Sequence, residues 1–237
     1  MKDLLGVLGG MGPLASQLFY KLLTERTDAE RDQDHIPLLL LSDTEMPDRT
    51  SAILSGDTER VRERMRADLR FLEESGCRAV AVTCNTAHFF VDMVAPELHI
   101  PVLHMVRLAA EEAAARSAGE RVAILATRGT IRTGLYQREL EARGVPVYLP
   151  PEEVQALVDL EIYQRIKRGR RADMAAWGAI EAAARAAGCA LAILGCTELS
   201  CIRDQEGLGP YHLDPMEVLA ERAIRFMGRP LRPKAEG

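Results

Sequence analysis

Two cysteines occupy sequence contexts that repeat along the chain, and their thiols are the first candidates for chemistry. Cys84 ends the stretch 76–84, which begins Gly-Cys-Arg-Ala, and Cys196 ends the stretch 188–196, which begins Gly-Cys-Ala-Leu. The two copies are offset by 112 residues, and a threonine lies close to each cysteine. This repetition predicts a duplicated fold in which each half presents one thiol to a shared substrate.

The residues around each cysteine predict where the thiols lie. The run 79–82 is short, apolar and rich in β-branched residues, as in a buried strand, and 87–94 is compatible with a helix. In open α/β sheets, ligands bind at the carboxyl ends of the strands. A helix N-terminus can lower the pKa of a thiol toward neutrality. We therefore expect both cysteines at strand ends, with lowered pKa values.

Predicted strands and helices alternate along the whole chain, which indicates an α/β fold with parallel, helix-covered sheets. The elements between them include a predicted polar loop over 42–55, a predicted helix over 133–143 and a predicted loop over 204–210. The repeat divides the chain into a first half, 1–104, and a second half, 105–213. A last helix over 214–227 is expected to pack back on the first half. Residues 228–237 are rich in proline, charged residues and glycine and predict a frayed tail.

Composition excludes several classes of protein. The 237 residues carry a net charge of −5 without a basic block, which argues against a nucleic-acid partner. No apolar run approaches the length of a membrane span, and the first residues lack the features of a signal peptide, so we expect a cytoplasmic protein. The 5 cysteines are an odd set without a Cys-x-x-Cys pair, which argues against a zinc site or a disulfide framework.

Two other motifs are candidates for cofactor sites. Gly10-x-Gly12-x-x-Ala15 matches the dinucleotide fingerprint, but Asp43 lies 33 residues beyond Gly10 rather than about 20. That motif also leaves the paired cysteines unexplained. His88 follows Cys84 by four residues, but no third and fourth metal ligand is evident. We therefore predict neither a metal nor an organic cofactor.

Four motifs together carry a resemblance to a known family. They are Leu8-Gly9-Gly10-Met11-Gly12-Pro13, Pro47-Asp48-Arg49-Thr50, Thr83-Cys84-Asn85-Thr86-Ala87-His88 and Gly195-Cys196-Thr197-Glu198. In order and approximate spacing they resemble the cofactor-independent aspartate/glutamate racemase family, and most of all its aspartate racemase branch. The resemblance covers nearly the entire chain. It implies two α/β lobes related by a pseudo-twofold, an active site between them, and a homodimer.

The resemblance also implies roles for individual residues. Cys84 and Cys196 match the two catalytic thiols. The positions that match contacts of the substrate's α-carboxylate and amine are Asn85, Thr86, Thr127 and Thr197. Arg49 and Lys167 match the pair that binds the side-chain carboxylate, and Met11 matches a pocket residue. Arg107 is a departure, because the family pattern predicts an acidic residue there.

The chemistry implied is racemisation of a small amino-acid substrate, with aspartate favoured. One thiolate removes the α-proton from one face while the opposite thiol delivers a proton to the other face. General acid–base help of this kind contributes roughly 10²–10⁴-fold, which cannot by itself overcome the weak acidity of an amino-acid α-proton. Main-chain amides at the helix N-termini must therefore also stabilise the enediolate that forms. The three remaining cysteines, 77, 189 and 201, are expected to be small buried apolar residues.

Some roles and functions stay open on sequence alone. His88 is expected to make a supporting hydrogen bond in the cleft wall. Glu198 is either a residue that orients the substrate ammonium or tunes the thiol, or a first-turn acid favoured by the helix dipole. Maleate isomerase-like or decarboxylase-like chemistry uses cysteine in the same superfamily, and a non-catalytic dicarboxylate-binding protein is a further alternative. The two cysteines together with Arg49 and Lys167 favour the racemase.

Overall fold

The structure is a computed structural model that describes residues 3–233. Within these residues the strands form two parallel sheets of four strands each. The first sheet has the order β2-β1-β3-β4 and comprises β1 (Leu4–Gly9), β2 (Leu38–Ser42), β3 (Cys77–Val82) and β4 (Val102–Leu103). The second has the order β6-β5-β7-β8 and comprises β5 (Val122–Ala126), β6 (Val147–Tyr148), β7 (Leu191–Gly195) and β8 (His212–Leu213). The predicted fold class, two parallel sheets covered by helices, is confirmed.

Helices connect and cover the strands of both sheets. Those of the first half are α1 (Pro13–Arg26), α2 (Arg49–Ser55), α3 (Glu59–Glu74) and α4 (His88–Val94). Those that follow are α5 (Met105–Ser117), α6 (Arg128–Thr133), α7 (Leu135–Glu141), α8 (Glu152–Asp159), α9 (Met174–Ala186), α10 (Thr197–Glu206) and α11 (Pro215–Phe226). After α8 the chain continues through a π-helical turn, Leu160–Arg165, and a 3₁₀ turn, Ile166–Arg168. Among the described helices, none is both long and apolar enough to cross a bilayer.

The two sheets share a strand order, and this places the two cysteines equivalently. In each sheet the first strand lies between the second and third strands of that sheet, so connections leave it in opposite directions. This reversal is the switch point at which open α/β sheets bind ligands. Cys84 lies two residues after β3, and Cys196 directly follows β7. Both cysteines therefore follow a strand that borders a switch point.

The two sheets are also joined through buried side chains. One apolar cluster contains Ala79 and Ala81 of β3 together with Ala192 and Leu194 of β7. Helix α11 packs against both α1 and α5. The chain therefore buries a core that is continuous from one sheet to the other.

The last described residues are attached to the first sheet's half of the molecule. The main-chain N–H of Asp28 donates to the Pro230 carbonyl at 3.0 Å, and that of Arg232 donates to the Arg26 carbonyl at 2.8 Å. These bonds correct the expectation of a frayed tail for residues 228–233. Residues 234–237 of the predicted tail lie outside the described residues.

Three predicted element boundaries differ from the structure. The segment 42–55, predicted as a loop, contains α2, because Asp48 caps it by accepting the Ser51 N–H at 2.7 Å. The predicted helix 133–143 is divided between α6 and α7 at Gly134, whose φ of 67° is left-handed. Helix α10 continues to Glu206, into the predicted loop 204–210. Each difference arises from a cap or a turn residue rather than from the apolar pattern.

Candidate active site

A small cavity lies between the two halves and collects the predicted site residues. Its volume is about 20 Å³, room for about one water molecule. Its lining includes Met11, Arg49, Cys84, Asn85, Thr86, Thr127, Lys167, Cys196, Thr197 and Glu198. Sequence reasoning missed three further lining residues, Asp48, Thr50 and Tyr163. Asp48 and Thr50 flank Arg49 in a quoted motif, whereas nothing in the local sequence marks Tyr163.

Cys84 is held in place through its own main chain. Its carbonyl accepts a hydrogen bond from His88 Nδ1 at 2.9 Å, and His88 Nε2 accepts the Met105 N–H at 3.0 Å. Because Nε2 is an acceptor here, the imidazole proton lies on Nδ1. Burial, with the nearby His104, lowers the pKa of His88 to about 3, so the ring is neutral. His88 thus makes a supporting hydrogen bond, but it lies behind the cavity rather than in its lining.

The turn after Cys84 presents an amide that is oriented by a tyrosine. Asn85 Oδ1 accepts a hydrogen bond from the Tyr136 hydroxyl at 2.6 Å. Asn85 is 1% exposed, and within residues 3–233 its Nδ2 has no hydrogen-bond partner. A buried N–H₂ group without a partner is costly, and a ligand oxygen in the cavity would satisfy it.

Three threonine hydroxyls meet across the two halves of the chain. Thr86 Oγ1 lies 3.0 Å from Thr127 Oγ1 and 2.8 Å from Thr130 Oγ1, and the latter two lie 3.1 Å apart. Thr127 also caps α6 by accepting the Thr130 N–H. This cluster places the Thr86 and Thr127 side chains, both in the cavity lining, at one point.

The second thiol donates a hydrogen bond to a carboxylate. Cys196 is the N-cap residue of α10, is 6% exposed, and its Sγ donates to Glu198 Oε2 at 2.9 Å. Burial, followed by the Glu198 carboxylate, raises the pKa of Cys196 well above its usual value. The prediction of a lowered pKa is therefore wrong for Cys196. Desolvation and a neighbouring negative charge outweigh the helix N-terminus.

The other oxygen of Glu198 is bound to the predicted carboxylate-binding lysine. Lys167 Nζ lies 2.6 Å from Glu198 Oε1, and the side chains are 28% and 5% exposed. Burial lowers the pKa of Lys167, but Glu198 and the thiols outweigh it, so the net shift is upward and the ammonium is charged. A Cβ at Gly12 would lie 2.9 Å from Glu198 Oε1, so the glycine allows the carboxylate to approach the β1–α1 turn.

Arg49 is buried and largely held by main-chain carbonyls. Nη1 donates to the Met46 and Pro47 carbonyls at 3.2 and 3.0 Å, and Nη2 donates to the Met11 carbonyl at 3.0 Å. Arg49 is 9% exposed, and its Nε has no partner among the described residues. The guanidinium is therefore rigidly placed, with a buried N–H left for an anion.

A second chamber adjoins the cavity and shares part of its lining. Its volume is about 220 Å³. The lining residues common to both spaces are Met11, Arg49, Lys167 and Glu198, and the chamber adds, among others, Met46, Ile166 and Cys201. An ammonium and a guanidinium thus lie between a space with two cysteines and a larger, partly apolar space.

With this geometry in place, the comparison with known proteins decides the family. A sequence profile of the Asp/Glu/Hydantoin racemase family matches residues 8–223. The chain belongs to this family. The predicted family resemblance is thereby confirmed.

One solved structure and two curated relatives are similar to this chain. Aspartate racemase from Picrophilus torridus superimposes with a TM-score of 0.78 and 26% identity, covering 97% of this chain and 96% of that one. Glutamate racemase from Aquifex pyrophilus is 28% identical over 104 residues, and the broad specificity amino-acid racemase RacX from Bacillus subtilis is 26% identical over 148 residues. The matched segments span 41% and 63% of the lengths of these two curated relatives.

Arg107, the departure from the family pattern, lies away from the cavity. Its Nη2 is 2.5 Å from Asp92 Oδ1, its Nε is 3.5 Å from Glu139 Oε1, and its side chain is 54% exposed. It does not line the cavity. Arg107 is therefore not one of the charged groups that line the cavity together with Cys84 and Cys196.

The Gly10-x-Gly12 pattern has a packing explanation in this racemase-family fold. Gly10 has a φ of 86°, and a Cβ there would lie 2.4 Å from the main chain of Asp43. The Asp43 carboxylate is bound by Arg64 Nε and Nη2 at 2.7 and 2.8 Å. The absence of a side chain at Gly10 lets the loop after β2 pack closely against the β1–α1 turn, and the Asp43 carboxylate is already paired with Arg64.

Among residues 3–233, no group of three or more His, Cys, Asp or Glu side chains is placed to hold a metal ion.

Proposed function

We propose that this chain is a cofactor-independent amino-acid racemase that interconverts L- and D-aspartate through Cys84 and Cys196. The observation that carries the proposal is the pair of cysteines, one after a matching strand of each sheet, in the lining of a single cavity. Both are 6% exposed, so a substrate held between them would be largely removed from water.

In the proposed reaction a thiolate on one wall takes the α-proton, which forms an S–H bond as the C–H bond breaks. The thiol on the opposite wall gives its proton to the α-carbon, which leaves a thiolate there. Negative charge that develops on the α-carboxylate meets Asn85 Nδ2, the threonine hydroxyls and main-chain N–H groups. Preorganised donors in a water-excluded site contribute roughly 2.7–4 kcal/mol each when tested by removal in other enzymes.

The side-chain carboxylate of aspartate is proposed to lie at Arg49 and Lys167. Arg49 offers a buried Nε that has no other partner among residues 3–233, and Lys167 supplies a charged ammonium. The structural similarity to an aspartate racemase supports aspartate as the substrate, while glutamate racemases among the relatives make glutamate the second candidate. The adjoining chamber of about 220 Å³ has room for a longer side chain. On the family resemblance we also propose a cytoplasmic homodimer.

Isotope exchange tests the proposal. The protein is incubated in D₂O with L-aspartate, D-aspartate or glutamate, with loss of the α-hydrogen followed by NMR and inversion by chiral chromatography. Cys84→Ser and Cys196→Ser should each reduce racemisation to near background, while Cys77→Ser, a buried cysteine outside the cavity, should leave it intact. Racemisation retained by either cavity variant would refute the two-thiol mechanism. Aspartate binding without exchange or inversion would identify a dicarboxylate-binding protein instead.

A further inference from the structure

Glu198 contacts both Cys196 and Lys167, the lysine proposed to bind the substrate's side-chain carboxylate. Each of its two carboxylate oxygens makes one of these contacts. Oε2 accepts the hydrogen bond from Cys196 Sγ at 2.9 Å, and Oε1 lies 2.6 Å from Lys167 Nζ. We propose, on the basis of the proposed function, that Glu198 is a positioning residue that keeps the proton of the resting enzyme on Cys196. Cys84 is then the thiol that removes the first α-proton.

The hydrogen-bond geometry distinguishes the two thiols. A carboxylate is an acceptor only, so the bond to Glu198 requires a proton on the sulfur of Cys196. Among the described residues, Cys84 Sγ has no such acceptor. The two cysteines are equally buried, each 6% exposed, so burial alone does not separate them. The carboxylate is what differs between the two walls.

The charged and titratable groups around Cys196 come from several elements. Glu198 on α10 and Cys84 after β3 disfavour a thiolate at Cys196, and Lys167 in the 3₁₀ turn favours it. Burial raises the pKa of Tyr136 on α7 well above its usual value and that of Tyr163 in the π-helical turn to about 12, so both stay neutral. Glu198 is therefore a negative charge and Lys167 a positive charge that act on this sulfur, and Cys84 adds negative charge when it is the thiolate.

The contact with Lys167 gives the arrangement a second consequence. After one turnover the proton lies on Cys84, and Cys196 is a thiolate beside the Glu198 carboxylate. The Lys167 ammonium, already bound to the other carboxylate oxygen, offsets this accumulation of negative charge. The return of a proton to Cys196 then restores the form that accepts the first enantiomer again.

Site-resolved alkylation tests the proposal without requiring turnover. The protein is treated with iodoacetamide across a pH series, and modification of each cysteine peptide is measured by mass spectrometry. Because the two thiols share one cavity and are equally buried, their rates compare thiolate fractions. At pH 8 Cys84 should react at least about tenfold faster than Cys196, because the hydrogen bond to Glu198 keeps the proton on the Cys196 sulfur.

Two variants should move the Cys196 midpoint in opposite directions. Glu198→Gln keeps the shape and removes the charge, so the alkylation midpoint of Cys196 should fall by about one pH unit or more. Lys167→Met removes the opposing charge, so the midpoint should rise. Glu206→Gln, at the far end of α10 and paired with Arg171, is the matched control and should leave the midpoint unchanged. If Glu198→Gln does not fold, the comparison of Cys84 with Cys196 in the wild-type protein still tests the assignment.

The outcomes separate this inference from the proposed function. Equal or faster alkylation of Cys196 in the wild-type protein, or an unmoved midpoint in Glu198→Gln, overturns the role of Glu198. A downward shift in Lys167→Met overturns the balancing role of Lys167. A protein that shows the expected shifts but racemises neither aspartate nor glutamate retains the Glu198–Cys196 coupling and loses the proposed activity.

Discussion

Replacement of Lys167 by methionine gives the sharpest test of substrate choice. The side chain is 28% exposed, and its ammonium lies 2.6 Å from Glu198 Oε1. Methionine keeps the apolar stem but removes the charge that would face the substrate's side-chain carboxylate. A hydrogen bond to a charged group contributes about 1.5–3 kcal/mol, and the partial exposure favours the lower part of that range. Because 1.4 kcal/mol is tenfold, kcat/KM for aspartate should fall by roughly 10- to 30-fold.

The assay compares aspartate with alanine, which has no second carboxylate. Turnover of alanine, where measurable, should fall far less than that of aspartate. Lys21→Met is a matched control, because Lys21 also forms a 2.6 Å ion pair, with Asp204, but is 46% exposed and does not line the cavity. A Lys167→Met enzyme that loses aspartate and alanine activity in equal proportion would refute the side-chain role. Lys167 would then support the thiols or the fold.

Arg49→Ala should also lower kcat/KM for aspartate by about tenfold or more, but its effect will mix binding with stability. The guanidinium satisfies the carbonyls of Met11, Met46 and Pro47, and alanine would leave these groups without their partner. Each unsatisfied buried acceptor costs about 1–3 kcal/mol. Comparison of urea unfolding with kinetics separates the two effects. An Arg49→Ala protein with wild-type stability and wild-type kcat/KM would contradict both roles.

Three further substitutions test two contacts at the cavity and one half-buried carboxyl group outside its lining. The φ of −112° at Gly12 allows an alanine, but its Cβ would lie 2.9 Å from Glu198 Oε1. Gly12→Ala should therefore lower kcat while the melting temperature stays within about 3 °C of wild type. An unchanged kcat would contradict the importance of this contact. Tyr136→Phe removes the donor to Asn85 Oδ1 and should raise KM for aspartate about fivefold, roughly 1 kcal/mol, in steady-state kinetics. Burial, with a neighbouring carboxylate, raises the pKa of Asp68 to about 7 from an unfolded value near 3.8. The folded state therefore binds more protons between these values, and wild-type stability falls as the pH rises through that window. Asp68→Asn should remove this loss. The free energy of unfolding in urea, taken as variant minus wild type, should therefore be about 1–2 kcal/mol higher at pH 8 than at pH 5, after a discount for solvent screening.

The fold class could be predicted from the sequence because its signals are local and repeated. Short buried runs such as 79–82 and 191–194 are too apolar to be anything but interior segments, and each ends at a polar turn. The boundaries that were missed depend on single side chains. Asp48 starts α2 by capping it, and Gly134 separates α6 from α7 through its left-handed φ. Such contacts have no periodicity for a sequence pattern to detect.

Residues of the candidate site could be predicted from the sequence where they lie in a recognisable motif. Residues that reach the site from distant segments of the chain could not. Nine of the predicted residues besides Met11 line the cavity, and all of them except Thr127 and Lys167 stand in one of the four quoted motifs. Tyr136 and Tyr163 act on the site from α7 and the π-helical turn, which are far from those motifs in sequence. The pKa of Cys196 was predicted with the wrong sign. A helix N-terminus is visible in the sequence, whereas burial and the orientation of Glu198 are properties of the packed chain.

The small volume of the cavity has a kinetic consequence. At about 20 Å³ it holds roughly one water molecule, several times less than an amino acid requires. In the proposed reaction, each catalytic cycle therefore includes a separation of the walls that carry Cys84 and Cys196, and their return around the substrate. Motions of this kind occur on a timescale of about microseconds to milliseconds and limit turnover in many enzymes. A rate limited in this way is set by friction with the solvent, so kcat should decrease as the viscosity of the medium increases.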